Sequence, residues 1–301
     1  MSFIKRILLF LLTNLAIVVM LSLIFSIFNI QPYLTPHGIE YRSLLIYAAV
    51  IGFTGSFISL LLSKTMAKWM TKVQVITQPK DTHEERLLHV VGSISQKLNI
   101  GMPEVGIYPS LEVNAFATGW NKNHALVAVS EGLLKEMDPD EIEGVLAHEM
   151  AHVANGDMVT MTLIQGVVNT FVIFAARVAA YAVQGALSRG DGDTGRAVGG
   201  ISYFITAIIF EIIFSILASS IVFWFSRRRE FAADLGGAQF VGKRKMIAGL
   251  RKLQQLTNRI DTSNKTLATM KITDRSRFAR VFSSHPPLEV RIARLDAAAV
   301  S

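Results

Sequence analysis

A chain of 301 residues without a single cysteine cannot form disulfides or sulfur-ligated zinc or iron–sulfur sites, so any metal it carries must be held by His and carboxylate groups. Its formal net charge of +7 admits either nucleic acid or anionic lipid as a partner, but the Lys and Arg residues gather at the ends of long uncharged runs instead of along one polar helix face. That arrangement points away from nucleic acid and toward a lipid bilayer, and with 51% hydrophobic residues and a mean hydropathy of +0.40 it marks a membrane protein.

Ile7 to Phe28 is uncharged and, at about 1.5 Å of rise per residue, long enough to cross a hydrocarbon core of roughly 30 Å. A cleaved signal peptide is the competing assignment. The run is longer than the apolar part of such peptides, and the following Asn29-Ile30-Gln31-Pro32 offers no small-x-small cleavage site, so an uncleaved anchor is expected. A turn-forming stretch with Pro32, Pro36 and Gly38 leads to a second uncharged run, Leu44 to Leu62. Residues 1–63 are therefore read as an N-terminal membrane hairpin.

Residues 64–157 are polar and form the first part of a soluble domain. Ala125 to Val129 is strand-like, and Leu134 to Asn155 reads as a helix with Asp138 as N-cap, Pro139 at its first position, Glu141 completing a capping box and Gly156 as the stop. On it lies His148-Glu149-Met150-Ala151-His152, an H-E-x-x-H match. Four-residue spacing puts both imidazoles on one helix face, where two nitrogens can grip one Zn²⁺. Glu149 is offset around the helix, able to reach a water beside the metal without taking a coordination place. Zinc lowers the pKa of water to about 7, so Glu149 is the expected general base. Chance placement of two histidines on an ordinary helix is the bland alternative.

Residues 158–225 form a second apolar hairpin. Its stretches, Val159 to about Leu187 and Ile201 to Phe225, are less clean because they contain Arg177 and Glu211; Ser188 to Arg196 between them is a Gly- and Asp-rich linker. Counted from the two polar ends, the depths of Arg177 and Glu211 differ by only about 6 Å. An ion pair between antiparallel helices is expected, the alternative being that Arg177 snorkels to the interface while Glu211 is protonated.

Residues 226–301 are the second part of the soluble domain. Glu230 and Asp234 lie at i and i+4 among strong helix formers, where Glu230 could supply the third ligand and Asp234 could orient an imidazole. Spacing alone fits two solvated acids beside Arg227 to Arg229 equally well. His285 precedes Pro286 and Pro287 and so sits at a rigid turn. His37, His83, His89 and His124 lack ligand spacing. Lys5, Arg6, Lys64, Lys68, Lys72 and Arg227 to Arg229 flank the spans on one side, which assigns both polar segments to the cytoplasm.

His148-Glu-Met-Ala-His-Val-Ala-Asn-Gly-Asp157, Arg229-Glu-Phe-Ala-Ala-Asp234 and Ser284-His-Pro-Pro287, in this order after two N-terminal spans, closely resemble the HtpX family of heat-shock-induced membrane metalloproteases, related to the Ste24-type proteases. With the apolar runs, the resemblance implies an α-helical membrane protein with two N-terminal transmembrane helices, two further apolar stretches whose crossing the family pattern leaves open, and a cytoplasmic α+β gluzincin-type protease domain, in a bacterial-type inner membrane. It implies one Zn²⁺ per chain held by His148, His152 and Glu230, with Glu149 as catalytic base and Asp234 supporting a ligand. It further implies that His285 stabilises the oxyanion and that Asn114, Ala115 and Phe116 belong to an edge strand on which substrate is laid out by β-augmentation. Arg291 also fits the family pattern, with no role attached. The function implied is cleavage of cytoplasmic segments of membrane proteins, misfolded ones above all, under stress. Processing of a defined lipid-modified peptide, or a non-enzymatic scaffold or transporter using Arg177 and Glu211, are the alternatives.

Overall fold

The computed structural model describes residues 34–35, 38–188, 201–263 and 285–299. The expected first span, Ile7 to Phe28, and the linker beyond Ser188 lie outside the described residues. In chain order these residues form a two-strand hairpin (β1 Leu34–Thr35, β2 Gly38–Ile39), α1 (Tyr41–Thr71), β3 (Gln74–Val75), α2 (Thr82–Leu98), β4 (Glu104–Tyr108), β5 (Ala115–Gly119), β6 (Ala125–Ser130), α3 (Glu131–Glu136), α4 (Pro139–Ala154), α5 (Asp157–Ser188), α6 (Ile201–Val241), α7 (Lys243–Ser263) and α8 (Leu288–Ala297). Three of the described helices, α1, α5 and α6, are long and apolar enough to cross a membrane. The chain divides into one unit of residues 1–58 and 163–219 and another of 59–162 and 220–301. The boundaries expected near residues 63 and 225 fall inside α1 and α6, where the apolar run continues into a polar segment without a helix breaker, and the one near 157 falls at the start of α5, just after Gly156.

In the first unit, α1 buries Leu44, Ala48, Gly52 and Ser56 along one i, i+4 stripe. A side chain at Gly52 would meet the Thr170 backbone nitrogen at 2.7 Å, so small residues let the two helix backbones approach closely. Between α5 and α6, Arg177 Nη1 lies 2.7 Å from Glu211 Oε1, which is the ion pair that their matched depths imply. Gln184 donates to Ser202 Oγ at 2.6 Å on the same pair of helices.

The second unit is built on a four-stranded sheet of order β3-β4-β6-β5, in which β4 and β6 are parallel and the other pairs antiparallel. Every residue of β6 is buried, as a central apolar strand requires. One face of the sheet packs Val105, Val127 and Val129 against Leu87, Val91 and Ile94 of α2 and Leu146 and Met150 of α4. Their spacing on α2 is that of an amphipathic helix with a single buried stripe.

The helix expected from Leu134 to Asn155 is two helices. Asp138 and Glu141 make a complete capping box with Pro139 in the first turn; Met137 and Asp138 are extended, the conformation a residue before proline prefers. That start signal interrupts the apolar periodicity, and Ser130 caps the short α3 through the Leu133 amide. At the other end Gly156 takes φ 66°, the left-handed position that closes a helix. α4 is held against α6 and α7 by glycines: a Cβ on Gly144 would sit 2.3 Å from the Lys245 carbonyl oxygen, and one on Gly237 would lie 3.2 Å from the His148 nitrogen. The helix bearing the histidines is thus fixed at backbone level.

Candidate active site

One turn of α4 separates His148 from His152, and their Nε2 atoms face each other at 3.1 Å. Glu230, on α6, completes a triangle, with Oε2 3.6 Å from His148 Nε2 and Oε1 3.4 Å from His152 Nε2. These three residues form the one group among the described residues whose His and carboxylate donors could together hold a metal ion. Bonds of 2.0–2.1 Å to tetrahedral zinc place neighbouring donors about 3.3 Å apart, so the observed separations fit a zinc ion. Two N–H groups cannot point at each other across 3.1 Å, so at least one Nε2 here presents a lone pair. The donor set is chemically and geometrically that of a three-ligand site with an open position.

Both Nδ1 atoms are occupied. His148 Nδ1 lies 2.9 Å from Asp234 Oδ1, and His152 Nδ1 lies 2.6 Å from Asp157 Oδ2. A carboxylate on Nδ1 fixes the tautomer and leaves Nε2 for the metal. Arg229 Nε stands 3.0 Å from Asp157 Oδ1, and Arg291, buried at 6% exposure, donates Nε and Nη2 to Asp234 at 2.8 and 2.6 Å while Nη1 lies 3.0 Å from Glu230 Oε2. His285 reaches the same glutamate oxygen through Nδ1 at 3.0 Å, although its side chain is 64% exposed.

Charge in this cluster is strongly ordered. Burial alone would raise the carboxyl pKa of Glu230, but His148, His152 and His285 hold it far below the usual carboxylate range. Asp234 is likewise held down against its burial by Arg291 and His148, and Asp157 by His152 and Arg229. Burial would lower His152, yet Asp157 and Glu230 push it up to about 9. Glu149 moves the other way: burial raises it, and His148 and His152 only partly compensate. A carboxylate with a raised pKa beside a metal site is suited to accept and return a proton near neutral pH.

Glu149 lies in the wall of a cavity of about 370 Å³ that also exposes His148, His152, Glu230, His285 and Arg291 to a bay lined by Leu133, Val145, Met246, Leu250 and Leu253. Asn114 to Ala117 also line it. β5 is an edge strand, as expected, paired only with β6 in the sheet. Ser130 N donates to Asn114 O, so with Asn114 opposite Ser130 the alternation of antiparallel pairs gives Asn114, Phe116 and Thr118 backbone groups turned to β6. Ala115 and Ala117 then turn theirs away from the sheet. The Glu149 carboxylate accepts from the Ala117 amide, in agreement with that register. Of the expected substrate-binding residues, Ala115 therefore turns its backbone away from the sheet, whereas Asn114 and Phe116 spend theirs on β6; Ala117 also faces outward, its amide given to Glu149.

All the candidate residues named from the sequence, namely His148, Glu149, His152, Glu230, Asp234, His285 and the strand at Asn114 to Phe116, come together around this one cavity. Sequence reasoning attached no role to Arg291, used Arg229 only for topology and as part of a family motif, and quoted Asp157 only as the end of another. The available signal was weak: an acid just beyond the helix-ending Gly156, and arginines inside polar segments already rich in them. Trp120 stacks on His124 at 4.4 Å in the β5–β6 turn, and neither lines this cavity.

The profile of peptidase family M48 matches residues 81–299. Protease HtpX of Hahella chejuensis is 51% identical over 294 residues, covering 97% of this chain and 99% of that one. A Protease HtpX homolog of Chlorobium phaeovibrioides is 52% identical over 295 residues, covering 98% and 99%, and one of Bacillus licheniformis is 50% identical over 302 residues, covering 97% and 99%. Among solved structures, the crystal structure of S. mikatae Ste24p matches with a TM-score of 0.69 at 18% identity, over 97% of this chain and 65% of that one. At that identity the match speaks for the fold alone.

Proposed function

Because the chain belongs to peptidase family M48, being matched by its profile over residues 81–299 and half identical to bacterial HtpX proteases, we propose that it is a zinc-dependent endopeptidase of the bacterial inner membrane that cuts cytoplasmic segments of misfolded membrane proteins. The observation that carries this reading is the convergence of two Nε2 atoms and a Glu230 oxygen at 3.1–3.6 Å beside Glu149 and under an edge strand with free backbone. His148, His152 and Glu230 would hold the zinc, which when bound acts as a Lewis acid and acidifies water to a pKa of about 7.

Glu149 takes a proton from the attacking water as its oxygen bonds to the scissile carbonyl carbon. It then delivers that proton to the amide nitrogen as the carbon–nitrogen bond breaks, so that a carboxylic acid and an amine leave. His285, at the mouth of the cavity, is assigned to the oxyanion. The substrate pairs with the outward backbone of β5, the N–H and C=O of Ala115 and the C=O of Ala117, as an added strand, a mode that reads backbone more than side chains. It requires an extended, unfolded segment, which supports damaged proteins as substrates. Lys64, Lys68, Lys72 and Arg227 to Arg229 at the span ends support a cytoplasmic site.

Purified protein in detergent with zinc should cleave loosely folded casein and a destabilised membrane protein, and Glu149→Ala should cleave neither. Equal cleavage by Glu149→Ala would remove the mechanism. Refusal of casein with cleavage of a prenylated peptide would favour the narrower processing role instead.

A further inference from the structure

Each imidazole of the metal centre is held by an aspartate, and each aspartate is held in turn by an arginine from outside the H-E-x-x-H helix. We propose that Arg229 and Arg291 are positioning residues of the metal centre, each keeping one aspartate aimed at one Nδ1 so that both Nε2 lone pairs face Glu230. The inference rests on the zinc site proposed above. One chain of contacts runs Arg229 Nε to Asp157 at 3.0 Å and Asp157 to His152 Nδ1 at 2.6 Å. The other runs Arg291 to Asp234 at 2.6 and 2.8 Å and Asp234 to His148 Nδ1 at 2.9 Å.

Asp157 and Asp234 are 5% and 2% exposed, so each needs a cation or donors to stay ionised in place. Without that partner a carboxylate can rotate about its last bond, and the imidazole it holds turns with it. The Nη2 of Arg291 lies 3.3 Å from both ring nitrogens of His148. A point equidistant from the two is aligned with neither lone pair, so the guanidinium supports the ring without taking the metal's place.

The two arginines hold differently. Arg229 reaches Asp157 through Nε at 3.0 Å. Arg291 applies its fork to Asp234 and a further nitrogen to Glu230 Oε2 at 3.0 Å, thereby tying a second donor-bearing side chain. It also belongs to α8, whose Leu295 packs with Ala238, Met246 and Leu250, so the last helix of the described chain takes part in building the metal centre.

The test is Zn²⁺ affinity of the full chain in detergent, measured by competition with a chelating dye, together with the visible spectrum of the Co²⁺-loaded protein. Arg229→Gln and Arg291→Gln should each weaken Zn²⁺ binding about 10- to 100-fold, as loss of an outer partner does, and should alter the Co²⁺ bands. A lysine replaces one contact but not a fork, so Arg229→Lys should recover near-wild-type affinity and Arg291→Lys should not. Wild-type affinity and spectrum in Arg291→Gln overturn the proposal; if that variant does not fold, unchanged affinity in Arg291→Lys overturns it equally. Failure of the wild-type chain to bind Zn²⁺ would instead sink the zinc site itself.

Discussion

Glu149 and Glu230 line the same cavity, yet their substitution should separate two kinds of damage. Glu230→Ala removes one of three donors and should release zinc to a greater degree than the about 100-fold limit for outer partners. Glu149→Gln removes the proton acceptor and should keep zinc while lowering turnover by about 100-fold or more. Metal analysis beside a casein assay distinguishes them, and full zinc in Glu230→Ala would require another donor. Protons compete with the metal at the same atoms. In the metal-free protein His152 titrates at about 9, above its ordinary 6.5. The stability this contributes is fully present below the unfolded value of about 6.5 and lost as pH rises through about 9. Against its burial, Asp234 and Glu230 likewise favour the proton on His148, and zinc must displace the protons of both rings, so its apparent affinity should climb as pH rises from neutrality toward about 9. An affinity flat across that range would contradict the Asp157 and Glu230 contacts to His152.

At the level of elements, the position of α4 is set by backbone contact. Gly144→Ala places a Cβ 2.3 Å from the Lys245 carbonyl oxygen, and a carbonyl in a helix cannot move aside as a side-chain tip can. The variant should lose about 1–3 kcal/mol of stability, read as a lowered unfolding temperature in detergent; an unchanged temperature would mean α4 and α7 are not packed this way. The edge strand permits a complementary pair of changes. Ala117→Pro deletes the amide that donates to Glu149 and none that pairs with β6, so the fold should persist and proteolysis should drop. Phe116→Pro deletes one directed at β6 and should unfold the strand. In the apolar unit, Arg177→Glu and Glu211→Arg should each lower folded yield, and the double swap should recover much of it. Strictly additive losses would exclude the 2.7 Å pair as a stabilising contact.

For the whole molecule, the outer surface of α6 dictates the solvent. Ile205, Ile208, Ile209, Ile212, Ile213 and Ile216 are all about half exposed, a continuous apolar face that water would not tolerate but hydrocarbon would. With HtpX relatives aligned from end to end, the chain is a multi-pass membrane protein. Its side of the membrane is testable directly, because the absence of cysteine gives a silent background for labelling. A single cysteine at Lys122, in the exposed β5–β6 turn, should react with an impermeant maleimide in inverted vesicles and not in right-side-out ones. The opposite pattern would overturn the cytoplasmic placement proposed above.

The sequence by itself determined whatever depends on neighbours along the chain. Helical spacing put His148 and His152 on one face, Asp138 with Glu141 marked the start of that helix, and uncharged runs marked the long apolar helices. Matched depths even brought Arg177 to Glu211. The apolar residues from Leu134 onward read as one helix, which joined α3 to α4 although the cap at Asp138 separates them. Tertiary structure alone decided which distant polar groups converge: Glu230 lies 78 positions beyond His152, and spacing could not tell a ligand from a solvated acid. Arg291 becomes part of the site only because α8 packs on α6 and α7, carrying its guanidinium to Asp234 and Glu230. Likewise, which backbone groups of β5 are free follows from its register against β6, fixed by Asn114 standing opposite Ser130. Periodicity encodes faces, whereas a metal centre needs donors within a few ångströms, and that closeness is set by packing between segments remote in sequence.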